Sequence, residues 1–175
     1  MGLDRKTTEF LEQMATGDGK PLHESTPYEA RAFGSAIAEL AGPAPNMVHV
    51  EETSIDGPHG KVALRVLIPT ETPRGVLVYY HGGGWVIGNI DEYDTVARKL
   101  AERTSCAVVL VEYRLAPEHR YPIAVDDSYA ALEWVGEHLA DIAGEDAPLI
   151  VAGDSAGGNL AAVMATRARD QGGPQ

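Results

Sequence analysis

Gly153-Asp154-Ser155-Ala156-Gly157 is a Gly-x-Ser-x-Gly run set between the apolar stretch Leu149–Ala152 and a helix-forming stretch from about Ala156 to Arg169. A strand that breaks into a helix through so tight a turn holds its serine strained and exposed, with glycine on either side. The helix also directs the positive end of its dipole at that serine, where negative charge would develop during attack on a carbonyl. The chemistry this arrangement suits is nucleophilic acyl transfer through Ser155. A second run points the same way. The apolar segment Val76–Tyr80 enters His81-Gly82-Gly83-Gly84-Trp85 directly. Acyl transfer needs main-chain N–H groups aimed at the oxygen that becomes negative, and Gly83, Gly84 and Ala156 are the expected donors. A plain glycine-rich turn accounts for the triple glycine in isolation; the two runs together favour the chemical reading.

The elements that must position these residues read as alternating strands and helices. Val76–Tyr80, Ala107–Val111 and Leu149–Ala152 are continuous apolar runs, as expected of parallel strands buried on both faces. Helical patterns lie between them, over about Tyr93–Arg103 and Ile123–His138, the latter with Val125, Tyr129, Leu132 and Val135 inward. Val50–Ile55 and Val62–Ile68 flank the turn-rich Asp56-Gly57-Pro58-His59-Gly60, a hairpin, and the second of them alternates as a strand near a sheet edge would. This is an α/β sheet with right-handed crossovers. Two helices precede it. One covers residues 4–15 with Phe10, Leu11 and Met14 on one face. The next opens on a Thr26/Glu29 capping box with Pro27 at its first position, ends at Gly42-Pro43, and has Ala30, Phe33, Ile37 and Leu40 as its apolar face. Residues 1–45 therefore form an accessory helical layer and residues 46–175 the core.

Composition narrows the function classes. With 44% hydrophobic and 23% charged residues the chain reads as an ordinary soluble globular protein. Its formal net charge of −12 argues against nucleic acid and anionic membrane surfaces as partners. The single cysteine, Cys106, opens an apolar strand and reads as core filler. Met1–Lys6 leads into no apolar signal region, and no run has membrane-spanning length; the default expectation is the cytoplasm. A dinucleotide fingerprint fails because Ile87 stands where the third glycine belongs. A chymotrypsin-like reading of Gly-Asp-Ser-Ala-Gly-Gly fails because Asn159–Met164 is helical where that fold is all-β.

His81-Gly82-Gly83-Gly84-Trp85, Tyr113-Arg114-Leu115-Ala116-Pro117-Glu118 and Gly153-Asp154-Ser155-Ala156-Gly157-Gly158 occur in that order, with Tyr121-Pro122 and Asp126-Asp127 between the last two. This constellation resembles the hormone-sensitive-lipase-like branch of the α/β-hydrolase esterases, over essentially the whole chain. The resemblance implies a carboxylic-ester hydrolase for short- to medium-chain acyl esters, with Ser155 as nucleophile and the amides of Gly83, Gly84 and Ala156 as oxyanion hole. It implies that the N-terminal helices cap an acyl pocket, to which Phe10, Met14, Phe33 and Trp85 are assigned; ordinary helix packing explains the first three equally well. His81 and Gly82 are expected to brace the oxyanion loop, and Asp154 to support the site by a hydrogen bond. The Tyr113–Glu118 and Asp126-Asp127 segments are expected to be structural supports. No metal and no cofactor is called for.

One part of the pattern is missing. The fold supplies its triad in the order Ser, Asp or Glu, then His. After Ser155 the only acidic residue is Asp170, and no histidine follows. His23, His49, His59, His119 and His138 all precede the nucleophile and read as surface residues. The expectation is the N-terminal half of a larger hydrolase, with Leu149–Ala152 left as an apolar edge strand and the triad Asp and His supplied by a C-terminal half or a second polypeptide. The competing readings are a non-catalytic small-ligand-binding relative on the same fold and an inactive truncated fragment.

Overall fold

The computed structural model describes residues 2–15, 20–38 and 41–174, without the side chains at 13–15, 33, 36 and 37. The positions expected for the Met14, Phe33 and Ile37 side chains, and for Leu40, lie outside the described residues.

Five strands form one mixed sheet in the order β1-β2-β4-β3-β5. β1 (His49–Gly57) and β2 (Gly60–Ile68) are an antiparallel hairpin, and β2 pairs antiparallel with β4 (Ala107–Glu112). β3 (Val76–Tyr80) lies between β4 and β5 (Leu149–Gly153) and runs parallel to both. The ladder of the hairpin continues to a Gly57–Gly60 pair, so only Pro58 and His59 form the turn, which is tighter than the five residues expected.

Alternation along the central strands sorts two cores. Val76, Val78 and Tyr80, with Ala107, Val109 and Val111, face helices α4 (Ile123–Glu137) and α6 (Ala156–Gln171). Leu77, Tyr79, Val108 and Leu110 face Ile90, Ala97 and Ala101 of α3 (Ile90–Thr104). Full burial of each such aliphatic side chain contributes about 1.5–3 kcal/mol, and these side chains are concentrated at the sheet centre. A one-turn helix, α5 (Leu139–Ile142), connects α4 to β5. It has no periodic pattern in the sequence and was not expected.

Two expectations need correction. β5 is not buried on both faces: all five residues are partly or largely exposed, and Ile150 is 42% exposed. Among the described residues it is an edge strand paired with β3 alone, and its apolar character is that of the open edge also expected from the sequence. α3 starts at Ile90 rather than near Tyr93, because the Asn89 side chain accepts from the Glu92 amide (2.9 Å) and Glu112 accepts from the Ile90 amide (2.7 Å). The Asn cap lies outside the apolar stripe, and the Glu112 contact is long-range.

α1 (Arg5–Ala15) begins at Asp4, which accepts from the Thr7 amide (3.1 Å). α2 (Pro27–Ala38) opens on the expected capping box: Glu29 accepts from the Thr26 amide (2.7 Å), and Thr26 Oγ1 from the Glu29 amide (3.3 Å). Between them Leu22–Glu24 makes a 3-10 turn. Among the described residues no helix is long and apolar enough to cross a membrane.

Candidate active site

The turn from β5 into α6 puts Ser155 at φ 49°, ψ −117°, a conformation that costs a bulkless but non-glycine residue about 1–3 kcal/mol and persists only when its surroundings enforce it. The enforcement is visible. A Cβ on Gly153 would lie 2.5 Å from the Tyr80 carbonyl oxygen, and one on Gly157 would collide with that same oxygen and lie 2.5 Å from the His81 oxygen. The glycines are therefore required for space: the elbow's backbone packs directly on the end of β3. Ser155 itself is exposed, and its carbonyl starts α6 by accepting from the Asn159 amide (3.1 Å).

The loop leaving β3 is equally constrained. Gly83 (φ 121°), Gly84 (φ 61°) and Trp85 (φ 60°) follow one another at positive φ. The Gly83 carbonyl accepts from the amides of Val86 and Ile87 (both 3.0 Å), which closes the loop into a compact turn. Among the described residues, no backbone acceptor takes the Gly83 or Gly84 N–H, as a ligand oxygen would require.

Asp154 ties the two segments together. Its Oδ1 accepts from the Gly82 amide (2.9 Å) and the Tyr79 hydroxyl (3.0 Å), and its Oδ2 from the Tyr93 hydroxyl (3.1 Å). Burial, then the charge of Asp154, pushes the Tyr93 phenol up to about 12 and the Tyr79 phenol higher, so both stay protonated donors. Neither tyrosine stands out in the sequence. Tyr79 sits in an apolar strand run and Tyr93 on a helix, and their convergence on Asp154 depends on sheet order.

His81 is fully buried, stacked on Tyr113 with ring centroids 4.3 Å apart. Its Nδ1 lies 2.7 Å from the Gly82 carbonyl, which assigns the proton to Nδ1, and the Tyr113 hydroxyl donates to the His81 carbonyl (2.7 Å). Desolvation holds the imidazole below its usual pKa. A ring so buried and held below its usual pKa is neutral near pH 7. Below it, the carboxylate of fully buried Asp127 accepts from the Arg114 amide (3.1 Å) and Nε (2.8 Å) and also pairs with Nη2. That fixes the Tyr113–Glu118 segment, whose Ala116 amide donates to the Trp85 carbonyl (2.7 Å).

Two clefts flank the triple-glycine loop. One, of about 460 Å³, runs beneath the N-terminal helices and is lined by Phe10, Gly82, Gly83, Ile87, Tyr93 and Val96 among others. The other, of about 470 Å³, lies toward α4 and α6 and includes Gly84, Trp85, His119, Tyr121, Asn159 and Val163. Phe10 and Trp85 thus line different clefts; each is about two-fifths exposed. Of the other histidines, His59 pairs with Asp126 (2.9 Å) and His138 stacks on Trp134, while exposed His119 borders the second cleft. Among the described residues no hydrogen bond joins Ser155 to a histidine.

A mixed sheet with a strained serine at the strand-to-helix turn defines a class, and the chain belongs to it. The alpha/beta hydrolase fold family matches residues 77–175, and the motifs place the chain in the hormone-sensitive-lipase-like branch. It is 60% identical over 99 residues to the carboxylesterase NlhH of Mycobacterium tuberculosis, covering 57% of this chain and 31% of that protein. It is 44% identical over 154 residues to the carboxylic ester hydrolase LipN of the same species, covering 83% of this chain and 40% of that one. A hyperthermophilic esterase from Pyrobaculum calidifontis superposes with a TM-score of 0.90 at 38% identity, over 99% of this chain and 56% of the other. The chain spans less than half the length of these curated relatives and little more than half of the solved esterase.

Proposed function

We propose that this chain is the nucleophile-bearing part of a serine carboxylic-ester hydrolase. The observation that carries the reading is the strained, exposed Ser155, whose neighbour Asp154 is bonded to the amide that opens the triple-glycine loop. Ser155 Oγ attacks the ester carbonyl carbon, and the carbonyl oxygen takes up negative charge facing the amides of Gly83, Gly84 and Ala156. Collapse of the tetrahedral intermediate breaks the bond to the alcohol oxygen and leaves an acyl-Ser155. Attack by water then releases the acid and restores the serine.

The proton from Ser155 needs an acceptor that later protonates the alcohol. We assign that role to a histidine, oriented by an aspartate, outside these 175 residues, in a C-terminal half or a second polypeptide. The substrate is a small ester with a short- to medium-length acyl chain, in keeping with the apolar cleft lined by Phe10, Ile87 and Val96. Residues 1–45 act as a cap and 46–175 as the first part of the catalytic core, in the cytoplasm.

A serine-directed phosphonate probe tests the reading on the full-length protein. Labelling of Ser155 together with turnover of p-nitrophenyl esters supports it. Ligand binding without labelling would instead mark a non-catalytic receptor, and neither activity an inert fragment. Cell fractionation checks the location.

A further inference from the structure

We propose that Arg31, carried by α2, is a positioning residue for the triple-glycine loop; its kinetic consequence rests on the esterase reading above. Arg31 Nε donates to the Val86 carbonyl (2.8 Å), one residue beyond Trp85. Nη2 donates to the Ala116 carbonyl (3.1 Å), and the guanidinium forks onto Glu118 through Nη1 (2.9 Å) and Nη2 (2.7 Å). Ala116 is itself bonded to the Trp85 carbonyl (2.7 Å). One side chain of the N-terminal layer therefore joins the far end of the loop to the Tyr113–Glu118 segment.

The loop needs such a clamp. Gly83, Gly84 and Trp85 are held at positive φ, and for a residue as bulky as Trp that conformation survives only under outside constraint. Asp154 fixes the near end through the Gly82 amide; Arg31 fixes the far end through the Val86 carbonyl. Between those anchors lie the two glycine amides that would face the reacting oxygen. Small displacements of such donors are costly to a transition state.

An exposed ion pair alone would do little. Arg31 and Glu118 are about one-third and one-half exposed, so the pair is not the point. The distinguishing feature is the planar fork that serves two backbone carbonyls and a carboxylate together, which a lysine ammonium cannot reproduce. Simple docking of the N-terminal layer has its own bonds elsewhere: Ser35 Oγ of α2 donates to Glu92 (2.7 Å), and Lys99 Nζ to the carbonyl of Ala41 beyond α2 (2.6 Å).

The test compares Arg31→Gln, Arg31→Lys, Glu118→Gln and Ser35→Ala in the full-length protein, by steady-state kinetics on p-nitrophenyl esters and by hydrogen exchange at the Val86 and Ile87 amides. Arg31→Gln should lower kcat by about 10–100-fold with KM changed by less than about threefold, and should speed that exchange by about tenfold. Arg31→Lys should lose nearly as much, Glu118→Gln less, and Ser35→Ala nothing. If Arg31→Gln does not fold, Arg31→Lys and Glu118→Gln decide the matter. Wild-type kcat and exchange in Arg31→Lys would overturn the proposal, as would an equal loss in Ser35→Ala. A wild-type protein that turns over no ester would instead sink the esterase reading, leaving exchange as the deciding measurement: unchanged rates in Arg31→Lys reject the clamp.

Discussion

The elbow and the N-terminal helices are attached to the same sheet in opposite ways. At the elbow, backbone packs on backbone: Gly153 and Gly157 bring the start of α6 against the Tyr80 and His81 carbonyls, and buried Tyr113 donates to the His81 carbonyl beside it. α1 and α2 show the contrary. Phe10 and Leu11 are 43% and 48% exposed, and α2 is held by side-chain bonds such as Arg31–Glu118 and Ser35–Glu92. Close packing has no slack, so the strained serine is kept in one geometry. Polar tethers over a partly exposed surface constrain a cleft wall less tightly. On the esterase reading proposed above, reactivity would rest on the first region and substrate preference on the second.

The largest expected effect comes from Ser155. In the full-length enzyme Ser155→Ala should lower kcat by about 10⁴–10⁶-fold without changing the circular dichroism spectrum. Ser155→Gly should be equally inactive yet more stable by about 1 kcal/mol in a denaturant titration, because glycine relieves the positive φ. Retained turnover in the alanine variant would remove Ser155 as nucleophile.

Gly157→Ala comes next. Its Cβ would be driven into the Tyr80 carbonyl, so a loss of about 3 kcal/mol in unfolding free energy, together with loss of activity, is expected. A variant as stable as wild type would show that the elbow has slack after all. Asp154→Ala should lower kcat by about 10–100-fold, since it frees the Gly82 amide together with the Tyr79 and Tyr93 hydroxyls. A pure rise in KM would contradict a role in loop geometry.

Phe10→Ala should act differently. With the side chain already 43% exposed, stability should change by less than about 1 kcal/mol, while KM for longer acyl esters rises about fivefold and that for acetate esters stays put. Equal effects on both substrates would move Phe10 out of the acyl wall.

Acid should separate the two regions. Folded His81 is held below 6.5, so the unfolded chain binds a proton first, and the core loses stability as pH falls below about 6.5. Glu118 is held at about 2 by its bonds to Arg31, against 4.5 when free. Its contribution is complete above 4.5 and is lost only as pH falls from there toward 2. Hydrogen exchange against pH checks both, at β3 and at α2. Loss of α2 protection already complete at pH 5, with β3 unchanged, would reverse the assignment.

Much of this was legible beforehand. The bounds of β3 are legible because a short apolar run of Val, Leu and Tyr that ends just before a glycine cluster has few alternatives. The Thr26/Glu29 box was legible because both partners lie within one turn. The start of α3 was missed where the apolar stripe did not extend to its Asn89 cap, and β5 was read as buried because its residues are apolar. Arg31 gave no signal, being one basic residue on the polar side of an amphipathic helix. Tyr79 looked like any core aromatic.

By itself the chain determined what adjacent residues impose on one another: the serine at a sharp turn, the glycines beside it, the triple-glycine loop, the helix caps and the apolar strands. These follow from backbone sterics and local hydrogen bonding, which act over a few positions. The tertiary structure alone decided that Asp154 receives Tyr79, Gly82 and Tyr93 and that Arg31 spans to Val86 and Glu118. Those partners are separated by 55 to 87 residues, and only the order in which the strands assemble brings them within bonding distance.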